Sequence, residues 1–122
     1  MNYYFLVSCI LSLAVWGIHT FMGGPEVAKP LLESSLDNVP KYTNYYCWHI
    51  VTGILFLNGC GYGYLAFNSG SKELGMFITI LVGFCMLWSL LLNAVFRLRW
   101  VRFPQWILFF AVFVPAVLGM VG

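Results

Sequence analysis

The residues best able to do chemistry in this sequence are its only two histidines, His19 and His49. A neutral imidazole offers one donor and one acceptor, and it is a common ligand of zinc, copper and iron. Neither histidine stands in H-x-x-x-H or H-E-x-x-H spacing, so any metal site has to be assembled from two separate segments. Glu26, shortly after His19, would complete a His/His/Glu donor set for a transition metal. Two facing imidazoles alone can ligate a b-type haem. A neutral histidine can equally orient a quinone or a lipid headgroup. It can also be purely structural, hydrogen-bonded to loop carbonyls. Nucleophilic catalysis has less support, because Ser34 and Ser35 lie in a polar loop, where a solvated surface is the ordinary explanation. Cys9, Cys47, Cys60 and Cys85 fall in apolar runs without a C-x-x-C pair, and such thiols ordinarily pack as small hydrophobes.

The segments that must position these residues are four apolar stretches, residues 3–22, 43–67, 74–96 and 105–121. A helix needs ~20 mainly apolar residues to cross ~30 Å of hydrocarbon. The first three meet that length and the fourth sits at its lower edge. The chain is 61% hydrophobic and 8% charged, too few charges to clothe a water-facing globule, so lipid has to do part of the solvating. A net charge of +2, dispersed along the chain, excludes a nucleic-acid partner. The first stretch has no basic n-region and no A-x-A-like cleavage site, and it reads as a retained helix. The expected fold is thus a single all-α integral membrane domain, a four-transmembrane-helix bundle. Gly23-Gly24-Pro25 is expected to end the first helix, and Leu31, Leu32, Leu36 and Val39 predict a short helix in the first loop.

Within that bundle the histidines fall at matching depths. His19 lies one turn before the glycines, and His49 nearly two turns into the second helix, which places both roughly 6–9 Å inside the same end. Ser8, Ser12 and His19 share a face of the first helix, and Tyr45, His49, Thr52, Gly53 and Phe56 a face of the second. Candidate ligand-binding residues are therefore His19, His49, Glu26, Ser12 and Thr52, with His19 and His49 as metal ligands. Gly59 and Gly63 form a G-x-x-x-G pair, and Ala111, Pro115 and Gly119 a second small-residue face, for helix packing, a homodimer or docking into a larger membrane complex.

The strings Gly17-Ile18-His19-Thr20-Phe21-Met22-Gly23-Gly24-Pro25-Glu26, Pro30-Leu31-Leu32 and Cys47-Trp48-His49-Ile50-Val51-Thr52 resemble a group of small bacterial four-helix membrane proteins of uncharacterised function. The likeness covers roughly residues 17 to 52. It implies a bacterial inner-membrane protein with a shared locus at His19, Glu26 and His49. It implies no activity, cofactor or partner. Glu26 matches less well than the histidines, because the group often has its acidic residue directly after the first glycine.

Three function classes follow. The leading one is a non-enzymatic binding or accessory protein of the bilayer with a ligand or metal locus at His19/His49. The others are a membrane redox protein carrying haem b or a transition metal, and a membrane enzyme acting on a lipid. Five basic residues, Lys29, Lys41, Arg97, Arg99 and Arg102, lie in the first and third loops, against Lys72 alone in the second. The positive-inside rule then puts loops one and three in the cytoplasm and both termini outside. In a cysteine-free background, Ser35→Cys should be shielded from an impermeant thiol reagent in intact cells and Ser71→Cys labelled; the reverse pattern would overturn this orientation.

Overall fold

The computed structural model describes residues 1–68 and 70–122, and every regular element in it is helical. Helix α1 spans Tyr3–Gly17 and continues through two π-helical turns, Ile18–Met22 and Gly24–Ala28, into the short α2, Lys29–Glu33. Helices α3, Asn38–Phe67, α4, Lys72–Val95, and α5, Gln105–Val121, follow. Among the described residues three stretches are long and apolar enough to cross a membrane: Tyr3–Met22, Asn38–Phe67 and Lys72–Val95. Helix α5 is apolar but only 17 residues long.

The first helix does not end where its sequence predicts. Gly23 has φ −68° and ψ −28°, ordinary right-handed helix, and among the described residues no glycine has positive φ. Proline inside an α-helix clashes with the carbonyl four residues back and lacks the N–H that turn needs. Widening the turn relieves the clash. The Gly23 N–H bonds to the Ile18 carbonyl and the Lys29 N–H to that of Gly24, both five residues back. Pro25 occupies the first turn of the second π segment, where a missing donor costs little. The predicted loop helix over residues 31–39 is displaced as a result. Helix α2 ends at Glu33, and α3 starts five residues before the expected Thr43, at Asn38. At 30 residues, α3 is about 45 Å long.

The helices run up and down. α1 packs between α3 and α5, and α4 packs on α5 and more lightly on α3, closing the bundle. Small residues let the backbones approach. A Cβ on Gly59 would fall 2.6 Å from Leu13 Cδ2, and one on Gly63 3.2 Å from Cys9 Sγ, so the G-x-x-x-G pair faces α1. On α5 the buried stripe is Val112, Ala116 and Gly119, not the expected Ala111, Pro115 and Gly119. Phe5 fills the contact at Gly119 and stacks on the wholly buried Tyr62, ring centroids 6.1 Å apart. The Tyr62 hydroxyl meets Thr79 Oγ1 at 3.3 Å.

Asn2 ties the helix ends together. Its side-chain oxygen caps the Tyr4 and Phe5 N–H groups, its Nδ2 donates to the Gly119 carbonyl, and its backbone N–H donates to that of Ala66. The outward faces carry large exposed apolar side chains such as Leu57, Phe77, Ile80 and Phe84.

Gly59→Leu should therefore lower stability by about 2 kcal/mol or more, since the new side chain would overlap that of Leu13 and meet the α1 backbone behind it. Gly53→Ala, where nothing stands within 4 Å, should be neutral or slightly stabilising. Equal melting of the two variants in detergent would show that the α1–α3 contact is not close-packed.

Candidate functional site

One end of the bundle holds a cavity of about 450 Å³ between three walls. The first wall is the C-terminal part of α1 with its π turns, running from Val15 past His19 and Gly23 to Glu26. The second is α3, from Leu55 through Val51 to Trp48. The third is the loop before α5 and that helix's first turns, from Phe109 and Leu108 through Gln105 to Arg102. The polar side chains of the first and third walls, His19, Glu26, Gln105 and Arg102, lie toward the end of the bundle, and the second wall, Leu55, Val51 and Trp48, is apolar and aromatic. Along the first wall this gradient extends roughly 15 Å. Glu26 and Arg102, at the mouth, are both exposed.

His19 is half-buried and held on two sides. The Trp48 indole stacks on its ring, centroids 3.8 Å apart and planes 20° apart. The far edge of the same indole lies against Gly23, where a Cβ would stand 2.7 Å from Cη2. The other contact is polar. Thr52 donates its hydroxyl hydrogen to the Trp48 carbonyl at 3.0 Å, and His19 Nε2 lies 3.1 Å from Thr52 Oγ1. With that hydrogen committed, Nε2 is the donor to Thr52, and in the neutral ring Nδ1 is left as an acceptor.

The third wall is set by the chain leaving α4. Arg97 has φ 50°, the left-handed conformation that closes a helix, and the Leu98 N–H bonds to the Asn93 carbonyl as in a Schellman cap. Asn93 Nδ2 donates to the carbonyls of Ser89 and Phe103, and Trp106 Nε1 to that of Trp100. Gln105 begins α5 inside the cavity, and its Oε1 is buried without a hydrogen-bond partner.

The structure brings together some of the residues expected to share a site. His19 and Glu26 line one cavity, and Thr52 holds His19 in place. Ser12 is buried deeper in the bundle, where its hydroxyl donates to the Leu55 carbonyl at 3.4 Å. His49 does not turn inward with His19. It is exposed, it packs edge-on against Tyr45 at 4.5 Å, and it is absent from the cavity wall. The physical reason is register. Trp48 and Thr52 take the face toward His19, and the next residue after Trp48 is turned ~100° away. Among the described residues no three His, Cys, Asp or Glu side chains converge on a common point.

Trp48, Gln105 and Arg102 are the wall residues that sequence reasoning passed over. Trp48 had a signal, in its place beside His49 in the W-H pair; the other two depend on how loop three folds. Compared with protein-family models, curated proteins and solved structures, the chain matches none.

The glycine pair gives a test of the His19–Trp48 stack. Gly23→Ala should lower stability by about 1 kcal/mol or more, because a rigid indole edge occupies the space. Gly24→Ala, helical and with nothing within 4 Å, should raise it by roughly 0.5–1 kcal/mol. Thermal melts of both variants check this, and a stabilised Gly23→Ala would contradict the stacked geometry.

Proposed function

We propose that this chain is a non-enzymatic integral membrane protein of four spans that binds an amphipathic molecule of the bilayer in the cavity beside His19. In this reading α5 is the fourth span, short but sufficient with little tilt. Loops one and three face the cytoplasm, both termini lie outside, and the membrane is a bacterial inner membrane, as the family resemblance and the basic loops suggest.

The observation that carries the reading is the polarity of the cavity, apolar at its deep end and with the polar groups of its first and third walls at the outer end. Val15, Leu55, Leu108 and Phe109 make an apolar deep end, and Glu26, Arg102, Gln105 and His19 make a polar outer one. A lipid in the adjoining leaflet has the same order, tail toward the midplane and head toward the interface. The volume lies within the ~300–1,000 Å³ of small-molecule sites. His19 contributes an acceptor at Nδ1 while its other nitrogen is held by Thr52, which suits orienting a ligand. The redox alternative draws less support, since His49 stands outside the cavity and a metal there would have His19 and Glu26 as its only donors among these candidates.

Leu108→Phe fills the deep end of the cavity with an extra ring. Protein purified in mild detergent should lose most of its co-purifying amphiphile on this change, as read by native mass spectrometry and lipid extraction, while circular dichroism shows the helices intact. Retention of the same species in the same amount would sink the proposal.

A further inference from the structure

We infer that the segment between α4 and α5 is a docking surface for anionic phospholipids of the adjoining leaflet, held through their phosphates by Arg97, Arg99 and Arg102. The inference rests on the membrane-spanning reading and not on the cavity beside His19. These three are the chain's only arginines, and its lysines, Lys29, Lys41 and Lys72, lie in the other two loops. The first loop mixes its lysines with Glu26, Glu33 and Asp37, whereas no Asp or Glu follows Glu73. Loop three is thus a patch of one sign. Its cations are all of the type whose planar fork meets a phosphate with two parallel N–H bonds. Lysine would set the orientation of the spans equally well, so topology alone does not account for the choice.

The fold gathers these charges on one short turn. The Arg99 carbonyl accepts the N–H groups of Arg102 and Phe103, at 2.9 and 3.0 Å. That turn holds the Cα atoms of Arg99 and Arg102 within about 7 Å of each other. Arg97, two residues back, lies within about 7 Å of Arg99. All three side chains are exposed. The segment is fastened to α4 on both sides, by the Leu98 N–H on the Asn93 carbonyl and by Asn93 Nδ2 on that of Phe103. Aromatic residues set its depth. Trp106 Nε1 donates to the Trp100 carbonyl at 3.2 Å, and the two indoles meet edge to face with centroids 5.9 Å apart. Indoles settle at the level of lipid head groups, which brings the neighbouring guanidinium groups among the phosphates. Val101, 90% exposed, and the exposed Phe96 add apolar surface that lipid covers and water does not. Charge, depth and apolar surface together fit an anionic leaflet better than a soluble acidic protein, which meets the charge alone.

The experiment is a competition in mixed micelles holding equal mole fractions of dioleoyl phosphatidylglycerol and dioleoyl phosphatidylcholine, with retained lipid counted by native mass spectrometry. Wild-type protein should retain the glycerol lipid over the choline lipid by about tenfold or more, since each cation near an anionic surface contributes roughly fivefold. The double change Arg99→Gln/Arg102→Gln leaves the turn at Arg97 alone and should lower that ratio by about fivefold or more. Lys29→Gln/Lys41→Gln removes the same charge elsewhere and should leave it within about twofold. Arg99→Lys/Arg102→Lys keeps the charge without the fork and should still lose about threefold. All these side chains lie outside the core, so unchanged melting is expected and checks that the fold survives. No glycerol-lipid preference in wild type would leave the charge to a soluble acidic partner and overturn the lipid assignment. An equal loss in the lysine pair would reduce the effect to net charge, and full retention in the Arg→Lys pair would overturn the role of the fork. Leu108→Phe should keep the wild-type ratio. If it abolishes the preference, the anionic lipid belongs to the cavity and the separate surface falls; if it retains the cavity amphiphile while the ratio still follows the arginines, the cavity reading falls alone.

Discussion

The arrangement at this end of the molecule depends on how the first helix crosses Gly23-Gly24-Pro25. A backbone N–H or carbonyl left buried without a partner costs free energy, so ending a helix where it is packed against its neighbours is unfavourable. Continuing it as a plain α-helix is also expensive, because of the proline. The π turns resolve the conflict by bonding five residues back, and each holds one more residue than an α turn. An inserted residue rotates everything beyond it by ~100° about the helix axis. Glu26, seven residues after His19, lines the same wall with it.

The same segment explains why glycine stands at position 23. Trp48 is broad and rigid, and it can cover His19 only if its far edge has somewhere to lie. Gly23, one π turn beyond His19, leaves that space. Covering the imidazole costs His19 solvent on one face, and the Thr52 hydroxyl restores a hydrogen-bond partner on the ring edge. Opposite them the Schellman cap at Arg97, together with Asn93 holding the Phe103 carbonyl, folds the chain back so that α5 begins with Gln105 on the cavity wall. A non-glycine residue in the left-handed region costs about 1–2 kcal/mol. That the turn keeps an arginine here is consistent with the basic character of the loop mattering as much as its shape.

Much of the fold is legible in residue pattern. The apolar runs mark the helices, and α5 in particular starts and stops where its hydropathy does. Gly59 and Gly63 point at a neighbouring helix because close approach leaves so few residue types to choose from. The helix ends are a different matter. Gly-Gly-Pro is a breaker in water, where loops are readily solvated, and the same tripeptide inside a long apolar hairpin is absorbed by widening the turn. The error at Pro25 carried into the start of α3 and the loop helix. For the site, His19, Glu26 and Thr52 stand out by type alone. His49 stands out equally and is turned away, because equal depth on two helices does not fix equal facing. Arg102 and Gln105 are ordinary interface residues in the sequence; only the path of loop three makes them wall residues.

That divergence of the two histidines bears on what kind of chemistry His19 can serve. An axial haem pair or a metal centre gains its strength from several donors fixed around one point. His19 has its Nε2 engaged with Thr52 and one face covered by Trp48, so a single nitrogen remains open to a ligand. An acceptor so constrained is well suited to reading one hydrogen on a bound molecule, because its direction is set before the ligand arrives and little entropy is lost on binding. In the proposed reading the rest of the recognition falls to the charged groups at the mouth and the apolar side chains beneath them. A ligand that fits both would be amphipathic along its length, lying in the cavity as the proposal has it lie in a bilayer.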